Sequence, residues 1–250
     1  MSDEVDTRVS PSIHPDVIAG IDDYDDDTRP LLGGAETLLS QAHNALQSIG
    51  DAKAGAAINP TFNPFEALVA VDTHAAKVVN PVLGRWDKVT ADLEANIAQH
   101  EADMNKSIIG AATNPLSSEI RSYLRSMKPG ERFAAVTAAI NSGDERTIQA
   151  ICSVPPYLSG IDAEERQRIM TDWHDKANPV GTKKVRAMRK ALAVLNQNGG
   201  IFKRQWVEAV GTHDEYTEDR QGRRILTKRW TPAMVREQVK IAQKPFAVPV

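Results

Sequence analysis

Apolar residues in this chain recur mostly at intervals of three and four, the spacing that gathers them on one side of an α-helix. Leu31, Leu32, Leu38, Leu39, Ala42, Leu46 and Ile49 follow it and predict a helix over 31–49. Gly50 and the stretch 51–60 predict a loop, with Asn59-Pro60 and Asn63-Pro64 as successive turn signals. A second helix is predicted over 65–79. Asn80-Pro81 should break or kink it, because proline removes a backbone hydrogen bond and its ring clashes one turn back. The most regular pattern follows, over 82–109. There Leu83, Trp86, Leu93, Ile97, His100 and Met104 step by 3, 7, 4, 3 and 4 residues, close to a heptad seam. So narrow a stripe on a long helix calls for a partner helix, from this chain or from another copy, and these residues are candidate subunit contacts.

Between 114 and 179 the pattern shortens into four helices with punctuated ends: 119–127, 132–141, 145–152 and 163–176. Ser117 or Ser118, Lys128-Pro129-Gly130, Gly143-Asp144 and Asp162 supply the entries, where small polar side chains accept bonds from the free N–H groups of a first turn. Short antiparallel helices with apolar faces form a compact bundle. A basic amphipathic helix is then predicted over 183–195, a strong turn at Asn196-Gln197-Asn198-Gly199-Gly200, and a second helix over 201–210. Asp219-Arg220-Gln221-Gly222 can turn a small hairpin within 216–230. Thr231-Pro232 opens a last helix to Ala242, and residues 244–250 form an extended apolar end carrying Phe246 and Val248, further candidate subunit contacts.

The fold class expected is mainly α: long seam-forming helices, then a bundle of short ones, with a small C-terminal hairpin. The chain divides into an acidic arm (1–29), a long-helix region (30–113), a short-helix bundle (114–179), a basic helical region with the hairpin (180–244) and an apolar tail (245–250). Composition agrees, with 41% hydrophobic, 25% charged and only 5% aromatic residues in a chain of 250. No apolar run approaches the roughly 18 residues of a membrane span, and the acidic N-terminus is not a secretory signal. The expected location is the cytoplasm of the producing cell.

Charge is strongly partitioned. Residues 176–250 hold a local net of +10 and residues 1–175 a net of −13, giving −3 overall. Nine of the acids fall in 1–29, a segment expected to be disordered or extended by itself. Such poles suit head-to-tail association, or a basic end meeting nucleic acid or an acidic partner. Lys183, Lys184, Arg186, Arg189, Lys190, Lys203 and Arg204 are the candidate contacts for that partner.

Reaction chemistry finds little support. Cys152 is the single cysteine, which rules out an intrachain disulfide and reads as a small apolar helix residue. The run Asp22-Asp23-Tyr24-Asp25-Asp26-Asp27 lacks the glycine and distal glutamate of a calcium loop. His74, His100 and His174 lack clustered ligands, and Gly181-Thr182-Lys183-Lys184 lacks the upstream glycine of a phosphate loop. No catalytic residue, metal or cofactor is assigned, and the protein is expected not to be an enzyme.

The segments Glu119-Ile120-Arg121-Ser122-Tyr123-Leu124-Arg125, Gly143-Asp144 and 150–161 (Ala-Ile-Cys-Ser-Val-Pro-Pro-Tyr-Leu-Ser-Gly-Ile) resemble a group of proteins encoded by bacteriophages and prophages of proteobacteria. The shared motifs are structural, a Gly-Asp helix entry and a proline-ended helix before a Leu-Ser-Gly turn. The resemblance implies a phage context: a virion or assembly protein associated with capsid, connector or tail. Its partners would be other virion proteins and further copies of itself, with no membrane involved. The alternative is a nucleic-acid-binding protein in which basic helix, turn, helix and hairpin act as a helix-turn-helix with a wing.

Overall fold

A computed structural model describes residues 8–109 and 115–243. Phe246 and Val248, the 245–250 tail, and Asp3, Glu4 and Asp6 of the acidic arm lie outside the described residues. A 3₁₀ turn, Pro11–Ile13, precedes α1 (Asp16–Ala19), α2 (Arg29–Ile58) and α3 (Pro64–Ile109). Four shorter helices follow: α4 (Pro115–Ser126), α5 (Pro129–Ser142), α6 (Glu145–Cys152) and α7 (Ala163–Ala177). Then come α8 (Pro179–Val210), strands β1 (His213–Glu218) and β2 (Arg224–Trp230), and α9 (Pro232–Gln243). The chain is mainly α, with one antiparallel hairpin near its C-terminus. It divides into two compact units, one from residues within 1–21, 32–91 and 191–250, the other from 22–31 and 92–190.

The first unit is built on the apolar stripe of α2. Leu32, Ala35, Leu38, Leu39, Ala42, Ala45, Leu46 and Ile49 are all buried, on one helical face. The early part of α3 adds Leu68, Val71, Ala75, Val79, Val82, Trp86 and Val89, and the later part of α8 adds Leu195, Phe202 and Val210. Trp86 and Phe202 stack at 5.7 Å with their planes 18° apart.

Several expectations are corrected in this unit, the first being the loop at 51–60, since α2 continues through Gly50 to Ile58. Pro81 does not end a helix, since α3 runs through it for 46 residues. The ring lies on the exposed face while Val79, Val82 and Trp86 stay buried on the other. Proline removes the N–H that would bond the Lys77 carbonyl, and Lys77 lies on the exposed side of the helix. Nor is there a turn at 196–200, because α8 is one helix from Pro179 to Val210. Asn198 is buried there and its amide donates to the Ser12 carbonyl at 2.6 Å. Gly199 lies in the helix against the Trp86 indole, where an added Cβ would meet the ring nitrogen at 3.4 Å, and it makes no reversal of direction. Tertiary contact thus overrides local turn propensity, and the helix-turn-helix is not formed. Finally, residues 8–21 are not a disordered arm. Val9, Ile13, Ile18 and Ile21 are buried, the Ser10 N–H donates to Gln205 Oε1 at 3.2 Å, and Arg8 pairs with Asp51 at 3.0 Å. The acidic composition hides enough isoleucine and valine, at the right intervals, to anchor the segment.

The second unit gathers α4 to α7 around Leu124, Val136, Ile140, Ile148, Ile151, Cys152, Ile169, Met170 and Trp173. Two of the four predicted entries, Asp144 and Asp162, are side-chain caps, whereas Ser117 and Ser118 lie inside α4, which already begins at Pro115. Asp144 accepts from the Thr147 N–H at 3.2 Å, and Asp162 from the Glu165 N–H at 2.7 Å. Gly143, at φ 73°, ends α5 in the left-handed conformation that glycine adopts without strain. The end of α6 is held by two arginines. Arg166 donates to the Cys152 carbonyl at 2.7 Å and Arg121 to the Ala150 carbonyl at 3.2 Å, while buried Ser159 donates to the Ile151 carbonyl at 3.0 Å.

The seam on α3 is covered by this chain. Trp86, Leu93 and Ile97 are buried without any second copy, and Leu83, His100 and Met104 are half-buried. As candidate subunit contacts the buried three are corrected to core residues. The alternation that looked like a coiled-coil seam is the inner face of a helix packed within the protein.

Candidate docking surface

The Gly211 backbone, at φ 76°, ends α8 and turns the chain into β1. The strands pair antiparallel from His213 opposite Trp230 to Glu218 opposite Arg224, with an irregularity between Glu215 and Tyr216. The Asp219 carboxylate closes the turn by accepting from the backbone N–H groups of Gln221 and Arg223, each at 2.9 Å. Arg229 grips Asp214 through two bonds of 2.9 and 2.8 Å, a bidentate pair that fixes the register near the base. The base is aromatic: Phe65 meets His213 and Trp230 edge-on at 4.9 and 5.3 Å.

Beyond that base the hairpin is uncovered. Tyr216, Ile225 and Leu226 are large apolar residues exposed to between 44% and 50%. Ile225 and Leu226 are consecutive on β2, so they point to opposite faces of the ribbon. Both faces thus carry an apolar side chain that nothing among the described residues buries. A lone two-stranded hairpin is marginal in water. This one is held by its turn, by the Asp214–Arg229 pair and by Arg224 lying 4.4 Å over the Tyr216 ring.

Beside the hairpin base is an open cleft of about 670 Å³. Phe65, Val69 and Ala70 of α3, Trp230 of β2, and Val235 and Val239 of α9 give it apolar walls, and Glu66, Glu215 and Gln238 stand among them. The buried Trp230 indole N–H has no acceptor among the described residues. Arg236 ties α9 to α3 through Asp72 and, at 3.1 Å, through the Thr73 hydroxyl. Sequence reading missed this cleft. Its signal was present as apolar pairs four apart, Phe65 with Val69 and Val235 with Val239, on helices distant in the sequence.

The candidate basic contacts separate into groups. Four lie on α8 within the second unit and are already engaged. Arg186 bonds Asp23 at 2.8 and 2.9 Å, and Lys190 reaches Asp22 at 2.9 Å and Asp23 at 3.1 Å. Lys183 pairs with Asp25 and, at 3.5 Å, with Asp27, and Arg189 pairs with Glu101. The acidic run is therefore docked on the chain's own basic helix. It is shaped by buried Thr28, whose hydroxyl donates to the Asp23 carbonyl at 2.6 Å. Bonds from Arg186 and then Lys190 hold the Asp23 carboxyl down at about 2, against some desolvation. Lys183 in the same way lowers Asp25. Lys184, Lys203 and Arg204 form no ion pair among the described residues, and the last two are exposed.

A smaller polar pocket of about 160 Å³ lies in the second unit, lined by Glu101, Asn105, Gln167, His174, Thr182 and Arg189 among others. His174 is buried against Asn105, with Nε2 2.8 Å from the amide oxygen, and burial lowers its pKa against a weaker pull from Asp175. Burial pushes the Cys152 thiol up to about 11, so it is a packed thiol with no thiolate character. No group of His, Cys, Asp and Glu among the described residues is placed to hold a metal ion. No helix among them is long and apolar enough to cross a membrane. Comparison with known protein families, with curated proteins and with solved structures found no match.

Proposed function

We propose that this protein is a non-enzymatic structural or assembly component that docks through its C-terminal hairpin, in a bacteriophage particle as the resemblance at 119–161 implies. The observation that supports this most is the exposure of Tyr216, Ile225 and Leu226 on both faces of a two-stranded ribbon. An uncovered ribbon has unpaired backbone edges, and a neighbouring subunit can use both the edges and the apolar side chains. The partner proposed is a second copy of this chain, with other particle proteins meeting the assembled copies.

Nucleic-acid binding is the weaker reading. The helix-turn-helix it required is one continuous helix, and Lys183, Arg186 and Lys190 are neutralised by the chain's own aspartates.

Backbone amide exchange across 213–230, followed as protein concentration is raised, tests the proposal. Slowing confined to the hairpin is expected. Exchange there that ignores concentration, together with slowing of α8 on adding duplex DNA, would favour the nucleic-acid reading instead.

A further inference from the structure

We propose, resting on the docking of the hairpin to a second copy, that the surface it meets there is the cleft between the start of α3, the hairpin base and α9, so that copies join head to tail. Tyr216 and Leu226 stand opposite each other across the strands and share one face of the ribbon, with Arg224 over the Tyr216 ring. Glu215 pairs with Lys228 and Tyr216 with Leu226, so the extra residue, Thr227, lies on β2 and β1 keeps its alternation. Glu215 lines the cleft, and Tyr216, the next residue on β1, points to the other face. The apolar pair thus faces away from the cleft beside its own base, and it is a second copy that can bring such a pair there.

Shape, polarity and charge agree. The cleft holds about 670 Å³ between Phe65, Val69, Val235 and Val239. That falls within the roughly 300–1,000 Å³ of sites that enclose drug-sized groups, room for a tyrosine and a leucine side chain together. Its acids, Glu66 and Glu215, form no ion pair among the described residues. The far part of the hairpin, residues 216–226, carries Arg220, Arg223 and Arg224 against Glu218 and Asp219, a net of +1. Arg223 is taken by Asp219, which leaves Arg220 and Arg224 to meet the acids of a neighbour's cleft. Such charge pairs fix orientation and register while the apolar contact holds the copies together. The Trp230 indole N–H, buried without an acceptor among the described residues, can donate to a carbonyl on the free edge of the incoming ribbon.

The giving and receiving surfaces are different parts of the chain, so the contact is heterologous. A joined pair keeps one free hairpin and one free cleft, and growth stops only where a ring closes. A hairpin-to-hairpin contact would instead use the same surface on both copies and stop at a dimer.

Sedimentation velocity of three samples separates the two: L226D, which spoils the hairpin; V239E, which sets a carboxylate in the apolar wall of the cleft; and an equal mixture of both. Val239 is 47% exposed, so the fold should accept glutamate there, and circular dichroism checks that it does. Each variant alone should stay monomeric at concentrations where the wild type assembles. The mixture should form a discrete dimer and nothing larger, because the sound hairpin of V239E enters the sound cleft of L226D and only spoiled surfaces remain. If V239E is unfolded, amide exchange of the wild type carries the test: residues 65–70 and 235–239 should slow together with 216–226 as concentration rises, and slowing of 216–226 without them would overturn the proposal. A V239E that assembles like the wild type beside an L226D that does not would overturn the cleft as the seat and leave the hairpin as a docking element. A mixture that stays monomeric would also overturn it. A wild type that stays monomeric defeats hairpin docking itself, and the seat with it.

Discussion

Replacing Asp23 by asparagine keeps the side-chain shape and an acceptor oxygen but removes the charge that Arg186 and Lys190 share. The Asp23 side chain is only 12% exposed, and its carboxyl is held at about 2 against an ordinary 3.8. Taken whole, that difference corresponds to roughly 2.5 kcal/mol at about 1.4 kcal/mol per pKa unit. Arg186 and Lys190 are 51% and 38% exposed, so solvent screens the pair. A realistic contribution is about 1–1.5 kcal/mol. For a chain of this size that lowers the thermal midpoint by roughly 2–5 °C. Asp26, which is exposed and forms no ion pair among the described residues, is the control.

The pH dependence has a definite sign. Because the folded pKa is depressed, the charged pair stabilises fully above the ordinary value and the benefit is lost as pH falls through about 4 toward 2. Denaturant unfolding at neutral pH, repeated in high salt and down the acid limb, reads this out. D23N should be weaker than D26N near neutrality, salt should narrow the gap, and the wild type should converge on D23N by the foot of the acid limb. Equal stabilities of D23N and D26N, with no convergence in acid, would refute the docking of 22–27 on α8.

Other parts of the fold make sharper local predictions. A thiol reagent at mildly alkaline pH should leave Cys152 unmodified in the native protein and label it after unfolding, since its pKa is pushed up to about 11. P81A should raise stability by about 1–2 kcal/mol in denaturant titrations, because the regained helix hydrogen bond outweighs the freedom that the unfolded chain gains. The lowered pKa of His174 makes the neutral imidazole the folded form. Its contribution is complete above about 6.5 and declines as pH falls below it, so unfolding midpoints measured across that range should drop more in the wild type than in H174Q.

Helix type and the short-helix bundle were legible in the sequence, because local chemistry decides them. Asp144, Asp162 and Gly143 sit at α6 and α7 entries and at the end of α5, where the sequence places them, and the turn at Asp219–Gly222 is formed. The failures share one cause, which is tertiary contact acting on a residue with another local preference. Pro81 and Asn198-Gly199 look like breaks, yet buried faces on either side carry both helices through. Residues 8–28 look solvated by composition, but Ile13, Ile18 and Thr28 are fully buried. The opposite charges that suggested contacts between molecules meet within one unit of the chain, as Asp22, Asp23 and Asp25 against Lys190, Arg186 and Lys183. Periodicity also cannot say which partner covers a helical stripe, so the α3 seam read equally as interface and as core. The cleft was invisible for a related reason. Phe65, Trp230 and Val239 are far apart in sequence and are brought together only by folding.

Sedimentation velocity over a concentration series, with wild type beside L226D, tests the docking reading most directly. The account predicts a discrete larger species for the wild type that grows with concentration and is lost in L226D, while circular dichroism of the two is the same. A wild type that stays monomeric throughout, or an L226D variant that assembles equally well, would contradict it.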